Sequence, residues 1–167
     1  MLTLSLKSPT IFAKAPKKLI AMTFDDGFLE NLTPKLLKIL KKENVKATII
    51  ILGFRAKMYP DIIRKISNAG HQIGNHMYNH ENLAYFNKYR VIKEIENTSK
   101  IIKQITRKQP IVMRPPYGAY NKKVLACCNM PVILWSVVPQ DWKTRDAETV
   151  YKAVVKNAKN GDIILVQ

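Results

Sequence analysis

Short apolar segments alternate along the chain with segments in which apolar residues recur every three or four positions. A continuous apolar run of a few residues predicts a strand that is buried on both faces, and the longer spacing predicts an amphipathic helix. The predicted strands are residues 19–24, 47–52, 71–74, 111–113, 132–135 and 162–166.

Helices are predicted between these strands, with boundaries marked by capping residues. We expect Thr33 to be the N-cap of the first helix, because Pro34 suits a first helical turn. Pro60 opens the second helix, and Gly70 suits its C-terminal cap. The other predicted helices are residues 89–105, 121–128 and 146–158. This alternation predicts an α/β fold in which helices cover a parallel sheet, either an open sheet or a barrel.

The length of 167 residues suits a single domain. No apolar run approaches the roughly 18 residues of a membrane span, and the first residues lack the apolar centre of a secretory signal. We therefore expect a monomer without a membrane span, cytoplasmic by default. Residues 1–17 are predicted to be an N-terminal extension, and residues 18–167 the domain itself.

The net charge of +16 favours an anionic partner, which could be a nucleic acid, an anionic glycan or an acidic membrane. The lysines, however, lie mostly between apolar positions of the predicted helices, a pattern typical of solvated helix faces. Nucleic acid is therefore the weakest of our functional hypotheses. Cys127 and Cys128 are adjacent in the sequence, so they give no disulfide framework and are expected to be buried thiols.

Four groups of unusual residues each follow a predicted strand. They are Asp25 with Asp26, His76 with His80, Arg114 with Tyr117, and Asp141 with Trp142. The loops after parallel strands open on one face of the sheet, so residues that are distant in sequence are expected to converge there. This convergence is the strongest indication of an enzyme within the sequence.

The first two groups could hold a metal ion. If residues 76–80 form a helical turn, both imidazoles lie on one side, and Asp25 or Asp26 would supply a third ligand. Taken alone, such a histidine pair is more often incidental, and an Asp-Asp-Gly run is also typical of an ordinary turn. Two adjacent carboxylates nevertheless repel each other, and a cation would neutralise one while leaving the other available as a base.

The other two groups also have simpler interpretations. Arg114 is followed by Pro115 and Pro116, which together make a charged and stiff loop suited either to orienting a catalytic group or to a surface salt bridge. Trp142 could equally fill space in the core.

Taken in order, these residues resemble the NodB-homology polysaccharide deacetylases, or carbohydrate esterase family four. The resemblance rests on five motifs that span nearly the whole chain, at residues 23–27, 70–80, 114–118, 141–142 and 163–167. It implies a distorted, incomplete (β/α) barrel, a divalent metal, and removal of N-acetyl groups from amino-sugar units of a chitin- or peptidoglycan-like glycan.

The resemblance also implies roles for single residues. Asp26, His76 and His80 would bind the metal, Asp25 would be the base, and Arg114 would orient Asp25. Zinc is the default metal, and cobalt, nickel and manganese suit the same ligands to different degrees.

Four further residues receive roles in the same way. The backbone N–H of Tyr117 would help to hold the oxyanion, and Trp142 with Leu165 would pack against the acetyl methyl group. Asp141 would support the general acid, a histidine in the family, but this chain has Gln167 at that position and ends there. The domain is therefore expected to be cut short at its C-terminus.

An amide side chain has no proton to give, so two functions stay open. One is a deacetylase of reduced activity, and the other is a catalytically impaired remnant that binds metal and glycan.

Overall fold

The computed structural model describes residues 18–27 and 32–167. Its centre is a sheet of four parallel strands in the order β3-β2-β1-β4. The strands are β1 (Ala21–Phe24), β2 (Thr48–Ile51), β3 (Gln72–Asn75) and β4 (Ile163–Val166). The prediction of an α/β fold with a parallel sheet is confirmed, and the sheet does not close, as an incomplete barrel requires. The predicted N-terminal extension, residues 1–17, lies outside the described residues.

Seven α-helices are present in the described part of the chain. They are α1 (Thr33–Lys42), α2 (Gly53–Met58), α3 (Pro60–Asn68), α4 (Lys88–Thr106), α5 (Lys122–Cys127), α6 (Asp141–Thr144) and α7 (Ala147–Asn157). Two 3-10 turns, Leu83–Tyr85 and Pro116–Gly118, complete the described helical elements. No helix in the described ranges is both long and apolar enough to cross a membrane.

The structure corrects the predicted start of the first helix. Thr33 is the first residue of α1 rather than its N-cap, which is Leu32, an apolar residue whose side chain makes no capping hydrogen bond. Pro34 lies within the first turn, where its missing N–H costs nothing. The sequence therefore located this helix but placed the cap one residue too late.

Two of the predicted strands are reduced to isolated bridges. Met113 forms single parallel bridges to Asn75 and to Val132, in place of regular strands at residues 111–113 and 132–135. Prolines 110, 115, 116 and 131 flank these segments, and a proline has no N–H to donate to a ladder. Backbone contacts still hold both segments in place, because the Arg114 N–H donates to the Asn75 carbonyl at 2.9 Å.

The buried apolar residues form two clusters. One cluster joins β2 to α1, α2 and α3 through Leu40, Ala47, Ile49, Ile51, Ala56, Ile63 and Ile66. The other joins α4 and α5 to the bridged segments through Met77, Leu83, Val91, Ile95, Met113, Val124 and Val132. The first cluster packs three helices against β2, and the second packs α4 and α5 against the bridged segments.

His71 lies at the amino end of β3, at the opposite end of that strand from His76. It is buried, and its Nδ1 accepts a hydrogen bond from the Ala47 N–H at 3.2 Å. Burial, and then the charge of Lys46, lower its pKa below the ordinary value of 6.5. The unfolded chain therefore binds a proton more readily than the folded protein does, so the contribution of His71 to stability is lost as the pH falls below about 6.5.

We expect His71→Asn, which keeps an acceptor but does not titrate, to lose less stability than the wild type between pH 7.5 and pH 5. The free energy of unfolding of both proteins, measured in urea with a chelator present, checks this, because every other titrating group is shared. Equal losses in the two proteins would show that His71 does not contribute to the pH dependence.

Candidate functional site

The carboxyl ends of three paired strands bring the sequence-predicted residues to one edge of the sheet. Asp25 follows β1, His76 follows β3, and Gln167 follows β4. Phe24 pairs with Val166, so β1 and β4 end level, whereas β2 and β3 run two residues further.

Asp26, His76 and His80 converge on a common point. The Asp26 Oδ1 lies 3.4 Å from the His76 Nε2 and 3.2 Å from the His80 Nε2. The three potential ligand atoms lie within 4.8 Å of one another. Ligands arranged tetrahedrally at about 2.1 Å from a cation are separated by roughly 3.4 Å, so the spacing suits a single ion.

The polar atoms at this point also lack partners. The Asp26 Oδ1 and the His76 Nε2 are buried and, among the described residues, neither has a hydrogen-bond partner. A buried polar atom left unsatisfied costs about 1–3 kcal/mol. A divalent cation would satisfy both atoms at once, and two nitrogens with one oxygen are a donor set that such cations accept.

The His76 ring is fixed by a second contact. Its Nδ1 lies 2.7 Å from the Arg114 carbonyl oxygen and is fully buried with the rest of the ring. A carbonyl only accepts, so the Nδ1 carries a proton, and in the neutral form of the ring the lone pair is then on the Nε2, which faces Asp26 and His80. This is the second contact that metal-binding histidines commonly make.

Residues 76–80, which we call the histidine loop, do not form the helical turn expected from the spacing of the two histidines. The loop is irregular, and Met77 and His80 have left-handed backbones with φ of 66° and 58°. The rings still meet, with centroids 5.0 Å apart. The expected proximity is therefore present, but it arises from a different backbone geometry.

Asp25 is held by Arg114 beside this cluster. The Arg114 Nη1 donates to the Asp25 Oδ1 at 2.6 Å and to the Thr23 Oγ1 at 2.9 Å, and its Nη2 donates to the Leu134 carbonyl at 2.9 Å. The Asp25 Oδ2 is the freer oxygen and lies 3.8 Å from the His76 Nε2. Arg114 is fully buried, so this pair is shielded from water.

The pKa values of the two neighbouring carboxyls are shifted in opposite directions. Burial raises the pKa of Asp25, although Arg114 and His76 partly offset it. Burial acts on Asp26 as well, but contact with His76 and the charges of His76, His80 and Arg55 outweigh it and lower its pKa. Asp26 is thus suited to hold a cation, and Asp25 is suited to take up a proton.

The remaining predicted residues lie at the edges of the site. Tyr117 has a left-handed backbone with φ of 59°, and its exposed ring contacts the His80 ring at a centroid distance of 4.7 Å. Trp142 is 47% exposed on α6, so it is not a core residue. Leu165 is buried on β4 in register with Thr23, two residues before Asp25.

Asp141 and Gln167 are in direct contact. The Gln167 N–H donates to the Asp141 Oδ2 at 2.8 Å, while the Asp141 Oδ1 is buried and has no partner among the described residues. Gln167, Asp25 and Asp26 line one cleft of about 410 Å³, together with Arg55 and Val166 among others.

Comparison with known proteins agrees with this geometry. The polysaccharide deacetylase family model matches residues 12–130. The chain belongs to this family. It is 40% identical over 162 residues to the peptidoglycan-N-acetylglucosamine deacetylase PgdA of Listeria monocytogenes, covering 97% of this chain and 35% of that protein. The chain thus spans about a third of that relative.

Solved structures of family members superpose closely. The peptidoglycan deacetylase PdaC of Bacillus subtilis is 36% identical with a TM-score of 0.88, and the match covers 91% of this chain and 75% of that one. A Bacillus anthracis protein described as a CE4 family pseudoenzyme is 27% identical with a TM-score of 0.87, covering 90% of this chain and 55% of that one.

In this member of the polysaccharide deacetylase family, sequence reasoning overlooked several residues that shape the site. The Thr23 Oγ1 accepts from Arg114 and donates to the Ile164 carbonyl at 2.7 Å, and Arg55 lines the cleft. Glu94 accepts hydrogen bonds from the histidine loop. The only available signals were a threonine in an apolar strand and a carboxylate on the apolar side of a helix, and neither points to a particular partner.

Proposed function

We propose that this domain is a metal-dependent hydrolase that removes N-acetyl groups from the amino-sugar units of a glycan. The observation that supports this most directly is the meeting of Asp26, His76 and His80 beside a buried Asp25–Arg114 pair. Relatives named peptidoglycan deacetylases favour a peptidoglycan-like substrate and a cell-wall setting.

Asp26, His76 and His80 would hold the metal, with zinc as the default and cobalt, nickel and manganese as alternatives. When bound, such a metal lowers the pKa of a water ligand towards about 7 and polarises the acetyl carbonyl.

Asp25 would act as the general base. Its Oδ1 is occupied by Arg114, so its Oδ2 is the oxygen that takes the proton of the attacking water. In the metal-free protein, burial raises the pKa of Asp25, and a carboxyl whose pKa lies closer to the working pH takes up a proton more readily. Arg114 prevents the carboxylate from rotating, so the free oxygen keeps one direction.

Other residues would handle the substrate. The N–H of Tyr117, in a turn made rigid by Pro115 and Pro116, would donate to the oxygen that becomes negative during attack. Trp142 and Leu165 would offer apolar surface to the acetyl methyl group, and the exposure of Trp142 leaves it free to do so.

A second candidate function follows from Gln167. The leaving amine needs a proton, and an amide side chain cannot supply one, so turnover would fall by about 10²–10⁴-fold relative to a complete site. The domain would then act mainly by binding metal and glycan. Similarity to a structure described as a pseudoenzyme of the same family favours keeping this candidate.

The proposal predicts that the zinc- or cobalt-loaded protein releases acetate from N-acetylglucosamine oligomers or peptidoglycan. Asp25→Asn should lower this rate by about 10²–10⁴-fold, because the base is removed while the metal ligands are kept. Asp61→Asn, at an exposed carboxylate on α3, is the matched control and should leave the rate unchanged.

Acetate is measured at high enzyme concentration, with glycan binding followed in parallel. Glycan binding without acetate in either protein would favour the second candidate function. A protein that neither binds glycan nor releases acetate would contradict both candidate functions.

A further inference from the structure

The histidine loop is bound to the rest of the protein on two sides. At the start of α2, the N–H of Gly53 donates to the Met77 carbonyl at 2.8 Å and that of Phe54 donates to the Tyr78 carbonyl at 3.2 Å. A Cβ at position 53 would lie 2.6 Å from the Tyr78 Cδ2, so this helix lies directly against the loop.

On the other side, a single carboxylate of α4 takes up the loop's N–H groups. The Glu94 Oε2 accepts from the backbone N–H of Tyr78 at 2.8 Å and of Asn79 at 3.1 Å. Its Oε1 accepts from the Asn79 side-chain amide at 3.5 Å. The peptide groups that join Met77 to Tyr78 and Tyr78 to Asn79 are therefore held through both their oxygens and their N–H groups.

Glu94 occupies a place where an apolar residue would be expected. It is 7% exposed and lies on the side of α4 that buries Val91, Ile95, Thr98 and Ile102. Burying a carboxylate is costly unless hydrogen bonds replace its water, and here the loop provides them. A side chain that served only to fill this space would not need a charge.

The loop conformation needs such support. Met77 and His80 both have left-handed backbones, which are unfavourable for residues other than glycine and persist only when surrounding contacts enforce them. Glu94 holds two of the three peptide groups between these two residues, and so restrains the direction in which the His80 ring leaves the backbone. That ring lies 3.2 Å from the Asp26 carboxylate.

We propose that Glu94 is a positioning residue that sets the geometry of the metal ligand His80 by binding the N–H groups of Tyr78 and Asn79. It acts through the backbone of the histidine loop and is not itself one of the proposed ligands. The inference rests on the metal site of the proposed function and adds a residue that the five sequence motifs do not contain.

The test is a titration of the metal-free protein with cobalt, followed by the visible absorption of the bound ion. Glu94→Ala should weaken cobalt binding by about 10- to 100-fold and alter the visible spectrum, because His80 is no longer held in its ligand position. Glu94→Gln keeps a carbonyl oxygen that can accept both N–H groups, so it should recover most of the affinity and the wild-type spectrum. Glu96→Ala, at an exposed residue of the same helix, is the matched control and should bind like the wild type.

Circular dichroism establishes that each variant is folded. If Glu94→Ala does not fold, Glu94→Asp provides the same test, because its shorter side chain cannot reach both N–H groups without moving the loop. If the folded Glu94→Ala or Glu94→Asp protein has the wild-type cobalt affinity and spectrum, the positioning role of Glu94 is wrong, while the metal site still stands. A wild-type protein that binds no cobalt would overturn the metal site, and this inference with it.

Discussion

Replacing Gln167 by histidine is expected to raise the rate of acetate release by about 10²–10⁴-fold, because an imidazole can protonate the leaving amine at neutral pH and an amide cannot. Position 167 lies at the carboxyl end of β4 and lines the cleft that contains Asp25 and Asp26. Its backbone already donates to the Asp141 Oδ2, while the buried Asp141 Oδ1 has no partner in the described ranges. That oxygen is available to orient a new imidazole.

The gain is measured as acetate released per bound metal by Gln167→His and by the wild type. Gln167→Asn changes the side chain without adding a proton donor, so it should give no gain. Combining Gln167→His with Asp25→Asn should remove the gain, since acid and base act in one reaction. A folded, metal-loaded Gln167→His protein with no increase in rate would mean that the missing acid does not limit turnover.

Arg114→Ala is expected to destabilise the protein by about 3–5 kcal/mol, because it leaves the buried Asp25 carboxylate without its cation. Arg114 is fully buried, and besides Asp25 it binds Thr23 and the carbonyl of Leu134. Its loss also removes the main charge that opposes the effect of burial on the pKa of Asp25, so that pKa should rise further.

The free energy of unfolding in urea measures this effect. Arg64→Ala removes an arginine that pairs with Asp61 on the exposed surface of α3, and exposed pairs contribute at most about 1 kcal/mol. In the Arg114→Ala background, Asp25→Asn should restore part of the stability, since no unpaired charge is then buried. If Arg114→Ala costs no more than Arg64→Ala, the buried pair does not stabilise the fold.

Much of the fold could be predicted from local patterns. Helix α4, predicted at residues 89–105, spans Lys88–Thr106, because apolar residues recur at helical spacing over its whole length. Helix α2 was not predicted, since its six residues are too few to show a period. The strands predicted near Met113 and Val132 became isolated bridges where prolines interrupt the ladder.

The candidate site, too, could be predicted only in part from the sequence. The order of the motifs led to the family, which the comparisons confirm, while the roles of Asp26, His76 and His80 as metal ligands stay predictions. The structure brings these three residues together but shows that the histidine loop is not a helical turn. A spacing of four residues suits a helical turn, but it does not specify the left-handed backbones at Met77 and His80.

By itself, the sequence determined which residue types stand at the ends of the strands, and hence which chemistry the site offers. Only the tertiary structure decided which residues hold that chemistry in place. Arg114 meets Thr23 across 91 positions of the chain, and Glu94 meets Tyr78 across 16. Hydrophobic periodicity is a local property that a short segment reveals, whereas such hydrogen bonds form only after packing brings distant segments together and removes the water that would otherwise take their place.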